Sequence, residues 1–156
     1  DPRLLPLVAE RGAAVCLVHM CGDPRTMQRD PRYADVVAEV RDHLAGRLEA
    51  AVAAGVPEER VVLDPGFGFG KRLEHNLALL AGIPRLAELG RPVLVGVSRK
   101  SMFRLLLGRE VEDRVPASLA AGLAAVARGA AVLRVHDVRE TADALRVWAA
   151  VEAAAT

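Results

Sequence analysis

The sequence predicts an α/β fold in which four parallel strands are each followed by a helix. Three observations carry this. Four short apolar runs recur along the chain, separated by segments whose apolar residues repeat at three and four. The runs are almost continuously apolar rather than alternating, the mark of strands covered on both faces, as parallel strands are. Each run turns polar at its C-terminal end, at His19-Met20, Asp64, Ser98-Arg99-Lys100 and Arg134-Val135-His136-Asp137. Strands alternating with helices in this way call for parallel pairing through right-handed crossovers.

Taken in order, residues 2–11 carry a helical stripe at Leu4, Leu5, Leu7 and Val8, stopped by Gly12. Residues 13–20 form the first strand, and 21–32, rich in Gly, Asp and Pro, a loop. Residues 33–54 form a long helix on Val36, Val37, Val40, Leu44, Leu48 and Val52, closed by Gly55 and Pro57. The second strand spans 60–64. Residues 73–89 are helical at both ends, with a break or kink at Pro84, because proline removes a backbone donor. The third strand covers 93–100, a short helical turn 101–107 and a polar loop 108–115. Residues 116–128 form an Ala/Leu helix with proline in its first turn, ended by Gly129. The fourth strand spans 130–138 and the last helix 141–153, with Leu145, Val147 and Trp148. Residues 1–156 read as one domain without linkers or repeats.

With 156 residues the chain is long enough for a real core, and a formal charge of +1 marks an ordinary globular composition. A nucleic-acid binder would show a basic stripe or aromatic stacking residues, and neither is present. No apolar run approaches the roughly 20 residues of a membrane span. The first residues lack the make-up of a signal peptide. Cys16 falls in an apolar strand and is expected to pack there; Cys21 falls in the following loop. Two cysteines without a framework suit a reducing compartment, so a cytoplasmic location is expected. Basic residues are nearly all arginine: Lys71 and Lys100 are the only lysines.

The stretch Asp64-Pro65-Gly66-Phe67-Gly68-Phe69-Gly70-Lys71 follows the second strand directly. It fits a plain strand-to-helix turn, in which the glycines only serve geometry. It fits a phosphate cradle poorly. Three residues, not four, separate Gly66 from the Gly70-Lys71 pair, and Arg72 stands where Ser or Thr is required. It also fits a pocket floor for a flat polar ring, with Asp64 accepting from two N–H donors and a phenylalanine packing nearby. The other strand ends bear on the choice. Side chains alternate along a strand, so Ser98 and Lys100 share a face, as do Arg134 and His136. Four polar strand ends in register form a constellation, and the C-terminal ends of strands are where barrel enzymes do chemistry. Alone, His19 reads as structural, Lys100 as a surface cap, and Arg134 with Asp137 as a surface ion pair. Phe67, Met27, Met102 and Trp148 read as packing.

Together, His19-Met20-x-Gly22-x-Pro24-x-Thr26-Met27-Gln28, the stretch from Leu63 to Lys71 followed by His75-Asn76, Gly96-Val97-Ser98-Arg99-Lys100-Ser101 and Arg134-Val135-His136-Asp137-Val138 resemble dihydropteroate synthase. The blocks come in family order and cover essentially the whole chain. The resemblance implies the C-terminal half of a TIM (β/α)8 barrel, with the N-terminal strand–helix units absent. It implies condensation of 4-aminobenzoate with 6-hydroxymethyl-7,8-dihydropterin diphosphate, often by a homodimer. By motif matching, Asp64 anchors the pterin through its 2-amino group and ring N–H. Lys100 reaches the pterin carbonyl and ring nitrogen. Arg134 stacks on the ring and, with His136, holds the diphosphate. Met20 lines the pterin pocket, and Phe69 and Ser98 border the aminobenzoate. Lys100, Arg134 and His136 carry the catalytic roles. Arg99 is placed on the other side of its strand end. The Mg²⁺ of the family is held mainly by a residue of the absent N-terminal part, so this chain is expected to contain no metal ligand. Two alternatives stay open: a pterin-binding module of a methyltetrahydrofolate-dependent methyltransferase, and a non-catalytic half-barrel.

Overall fold

The computed structural model describes residues 1–155. The first helix, α1 (Leu4–Glu10), leads into strand β1 (Val15–Val18), which runs parallel to β2 (Val61–Asp64) with Val15 opposite Val61 and Val18 opposite Asp64. Strand β3 (Leu94–Val95) pairs in parallel with β4 (Val132–Leu133). A parallel bridge between Leu63 and Val93 ties the two pairs together, so the strands follow one another in chain order. Helices α2 (Val36–Ala53), α3 (Leu73–Ala81), α4 (Ile83–Ala87), α5 (Met102–Leu107), α6 (Val115–Val126) and α7 (Val138–Ala154) fill the crossovers. The predicted alternation is therefore what forms. The ladders of β1, β3 and β4 are shorter than the apolar runs, whereas that of β2 reaches Asp64.

Local chemistry sets the helix ends. Asp35 starts α2 by accepting hydrogen bonds from the Val37 and Ala38 N–H groups, each at 3.0 Å, and so satisfies two donors that the first turn leaves open. The segment predicted to break at Pro84 breaks instead at Gly82. Pro84 sits in the first turn of α4, where its missing N–H costs nothing. Gly82 packs so closely on α2 that an added Cβ would stand 2.7 Å from both γ-methyls of Val37.

The core lies between the strands and the helix layer. Val40, Leu44, Val61, Leu63, Leu79, Ile83 and Leu86 are fully buried, each side chain contributing about 1.5–3 kcal/mol. Phe67 and Met102 join them, as packing residues. On β1 the two faces differ. Leu17 and His19 turn into the core, while Cys16 and Val18 stand on the opposite face, exposed. Cys16 therefore does not pack as expected from its apolar neighbours; the strand's period of two puts it on the uncovered side. Among the described residues no helix is long and apolar enough to cross a membrane.

Candidate active site

The exposed face of the strands and their C-terminal ends border a cleft of about 600 Å³. Its lining is Cys16 and Val18 from β1, Phe69 from the loop after β2, Gly96, Ser98 and Lys100 from the segment after β3, and Arg134, Val135 and His136 after β4. Five of the residues singled out in the sequence, Phe69, Ser98, Lys100, Arg134 and His136, are thus gathered in one cleft. Met20, 38% exposed, is not among the lining side chains.

Asp64 ends β2 with no exposed surface. Its Oδ1 accepts from the Gly66 N–H at 2.8 Å. Its Oδ2 lies 3.0 Å from Arg134 Nη2, but the two are not aligned for a hydrogen bond, so this buried oxygen keeps an unspent acceptor. A buried carboxylate oxygen without a donor is costly, and here it lies beside a guanidinium that lines the cleft. Arg134 reaches this position by crossing over Gly96. An added Cβ there would stand 2.7 Å from Nη2, so glycine makes room for the guanidinium.

Lys100 Nζ stands 4.4 Å from the centre of the Phe69 ring, a cation–π contact that brings the two cleft walls together. Burial pushes the Lys100 ammonium below the usual lysine range; Arg134 adds to this and Asp64 opposes it. Ser98 is buried, and its Oγ accepts from the His136 N–H at 3.2 Å and lies 3.1 Å from His136 Nδ1. Serine therefore fixes the imidazole and leaves Nε2 for a ligand. Arg99, at φ 56°, turns away from the cleft and grips both carboxylate oxygens of Asp137. The ion pair considered in the sequence, Arg134 with Asp137, is thus replaced by Arg134 with Asp64 and Arg99 with Asp137.

His19 is buried, as a structural histidine would be, and its Nδ1 lies 2.9 Å from Lys71 Nζ. Burial, with Lys71 and His43 nearby, pushes His19 down to about 4. No group of three His, Cys, Asp or Glu side chains is gathered among the described residues to hold a metal. Sequence reasoning missed Cys16, Val18, Gly96 and Val135 as cleft residues. The signal was available, since Gly96 stands two residues before Ser98 and so faces the same way.

The family model described as pterin binding enzyme matches residues 1–136. The chain is 52% identical over 149 residues to a dihydropteroate synthase of Neisseria meningitidis serogroup B, covering 93% of this chain and 52% of that protein. Among solved structures, dihydropteroate synthase of Xanthomonas albilineans with 4-aminobenzoic acid superposes with a TM-score of 0.92 at 52% identity, over 98% of this chain and 54% of that one. The same enzyme in complex with 7,8-dihydropteroate gives 0.91 at 51% identity, over 98% and 56%. The chain spans about half the length of the curated relatives it matches. A buried carboxylate, a lysine, an arginine and a histidine at successive strand ends, together with these matches, place the chain in the pterin binding enzyme family.

Proposed function

We propose that this chain is the C-terminal half of a dihydropteroate synthase barrel, residues 1–156 forming part of one pterin-binding domain, and that the longer protein makes 7,8-dihydropteroate. The observation that carries this reading is Asp64 Oδ2. It is a buried acceptor without a donor, not itself in the lining of the cleft but 3.0 Å from Arg134, which lines it with Lys100. A flat ring bearing adjacent N–H donors, such as the 2-aminopyrimidinone edge of a pterin, satisfies it. The Xanthomonas albilineans enzyme is solved with 4-aminobenzoic acid and with 7,8-dihydropteroate, which agrees with this pairing.

In this reading Asp64 orients the pterin and Lys100 donates to its carbonyl and ring nitrogen. Arg134, planar and always charged, stacks on the ring and turns a donor edge toward the diphosphate. His136 Nε2, held in place by Ser98, donates to the same group. The C–O bond at the exocyclic methylene breaks, and its electron pair leaves on diphosphate. The dihydropterin ring stabilises the positive charge left behind. The neutral amine of 4-aminobenzoate, packed by Phe69, forms the C–N bond and then loses a proton. The residues thus act by position and by charge on the leaving group, without a covalent enzyme intermediate. The Mg²⁺ of the family belongs, in this reading, to sequence outside the chain.

β1 and β4 each pair on one side only among the described residues, and an unpaired edge is a template for further strands. We assign those edges to the other half of the barrel. The exposed apolar residues Leu105, Val147 and Val151 support a homodimer, which sedimentation equilibrium tests. The reaction is tested by incubating the longer protein with pterin diphosphate and 4-aminobenzoate. Dihydropteroate and diphosphate should appear in equal amounts, and no product would sink the reading. The chain alone, kept monomeric, should show no turnover above background, and measurable turnover would contradict the half-barrel assignment.

A further inference from the structure

We propose that Lys71 is a positioning residue whose ammonium clamps the 66–70 loop onto the end of β1 and so sets where Phe69 stands in the cleft. Lys71 is 4% exposed and does not line the cleft. Its Nζ meets three acceptors: His19 Nδ1 at 2.9 Å, the Gly66 carbonyl at 3.0 Å and the Phe69 carbonyl at 3.1 Å. An ammonium has three donors and no acceptor, so every one is used. That leaves no proton free for chemistry.

The rest of the loop explains why a lysine is needed here. The Gly68 carbonyl accepts from Gln28, the Gly70 carbonyl accepts from the Tyr33 hydroxyl at 2.8 Å, and the Gly68 N–H donates to Asn76 Oδ1 at 2.8 Å. Lys71 takes the Phe69 carbonyl and adds a second donor to the Gly66 carbonyl, which also accepts from the Phe69 N–H at 3.1 Å. Both carbonyls flank the turn that carries Phe67 inward and Phe69 outward. The loop has little freedom to fall back, because Gly66, at φ 70°, approaches β1 so closely that an added Cβ would stand 1.8 Å from the His19 carbonyl oxygen. Lys71 and His19 therefore join the loop to β1 by side chain where the backbone already touches. His19 stays an acceptor because burial holds it neutral through the neutral range. Burial likewise pushes Lys71 down to about 8, with Asp64 and Cys21 opposing and Lys100 adding to it, so it is charged at neutral pH.

The consequence for the reaction rests on the proposed synthase reading; the clamp itself does not. Phe69 labelled with 4-fluorophenylalanine in the longer protein gives a readout without turnover. One sharp ¹⁹F line is expected in the parent and a broadened or split line in Lys71→Met; an unchanged line would overturn the clamp. In steady-state assays Lys71→Met should raise KM for 4-aminobenzoate about tenfold while KM for pterin diphosphate and kcat each change less than about threefold. In a Phe69→Ala background the same substitution should add less than about twofold. Equal rises in both KM values, or full additivity with Phe69→Ala, would overturn the proposal. Should Lys71→Met not fold, His19→Leu removes one acceptor and should shift the same KM by about threefold; no shift there overturns it too. A parent protein that makes no dihydropteroate sinks the synthase reading and leaves the ¹⁹F result to decide the clamp.

Discussion

Gly96→Ala is the most informative single change in the proposed site. The backbone at Gly96 needs no left-handed conformation, so the substitution adds no backbone strain. What it adds is a methyl group 2.7 Å from Arg134 Nη2, 3.2 Å from Nε and 3.3 Å from Cζ. Ordinary contact begins at 3.4 Å, so the guanidinium has to retreat by about 0.7 Å, the difference of those two distances. It is free to do so, since the Arg134 side chain is 54% exposed, but the retreat takes Nη2 away from its place 3.0 Å from Asp64 Oδ2. Asp64, the other partner, has no exposed surface, so drawing the guanidinium away costs more than a surface pair, about 1–3 kcal/mol, and the melting temperature should fall by no more than about 12 °C. Positioning is far more sensitive, since a misplacement near 1 Å can cost about 100-fold. The expected outcome is a loss of kcat/KM for pterin diphosphate of about 10–100-fold, or about 1.4–2.7 kcal/mol. Steady-state assays of the longer protein, with thermal unfolding on the same preparation, make the check. Undiminished kcat/KM would refute the placement of Arg134. A loss matched by unfolding would show that Gly96 serves the fold rather than the site.

Other outcomes follow from the same geometry. Lys100→Ala removes a charged donor and should lower kcat/KM for pterin diphosphate about 10–100-fold, whereas Arg41→Ala on α2, whose carboxylate partner is its neighbour Asp42, should leave it within about twofold; equal effects would contradict the site. Gly46 lies within α2 with nothing near its missing Cβ, so Gly46→Ala should stabilise by about 0.5–1 kcal/mol in urea unfolding, and a destabilisation would contradict the packing of that helix. His19 titrates near 4 when folded against an ordinary 6.5. Above pH 6.5 it is neutral in both states, but as pH falls toward 4 the unfolded chain takes up the proton first, so stability should drop by up to about 3 kcal/mol across that window. Urea titrations at several pH values check this, and a pH slope unaffected by His19→Gln would remove His19 as its source.

The fold was legible wherever one physical signal dominated. Continuous apolar runs marked the strands, three-and-four spacing marked α2, and an Ala/Leu run opened by proline marked α6. The break at Gly82 was not legible, because proline disrupts a helix interior yet suits a first turn, and only the packing of Gly82 on Val37 shows which applies. The ladder lengths were hidden for a related reason: an apolar run records burial, whereas a ladder also needs a partner strand at the same height.

For the site, the sequence by itself determined which chemical groups stand at the strand ends: Asp64, Ser98, Lys100, Arg134 and His136. A period of two and a polar step after an apolar run are local properties, readable within a few residues. The tertiary structure alone decided the partners. Arg134 meets Asp64 and not Asp137; Ser98 holds His136; Lys71 reaches back to His19; and Cys16 faces the cleft although its neighbours are apolar. Each of these depends on which strand lies beside which, and on the height at which the strands are paired. Those are set by the packing of helices far along the chain, so no local stretch of residues contains them.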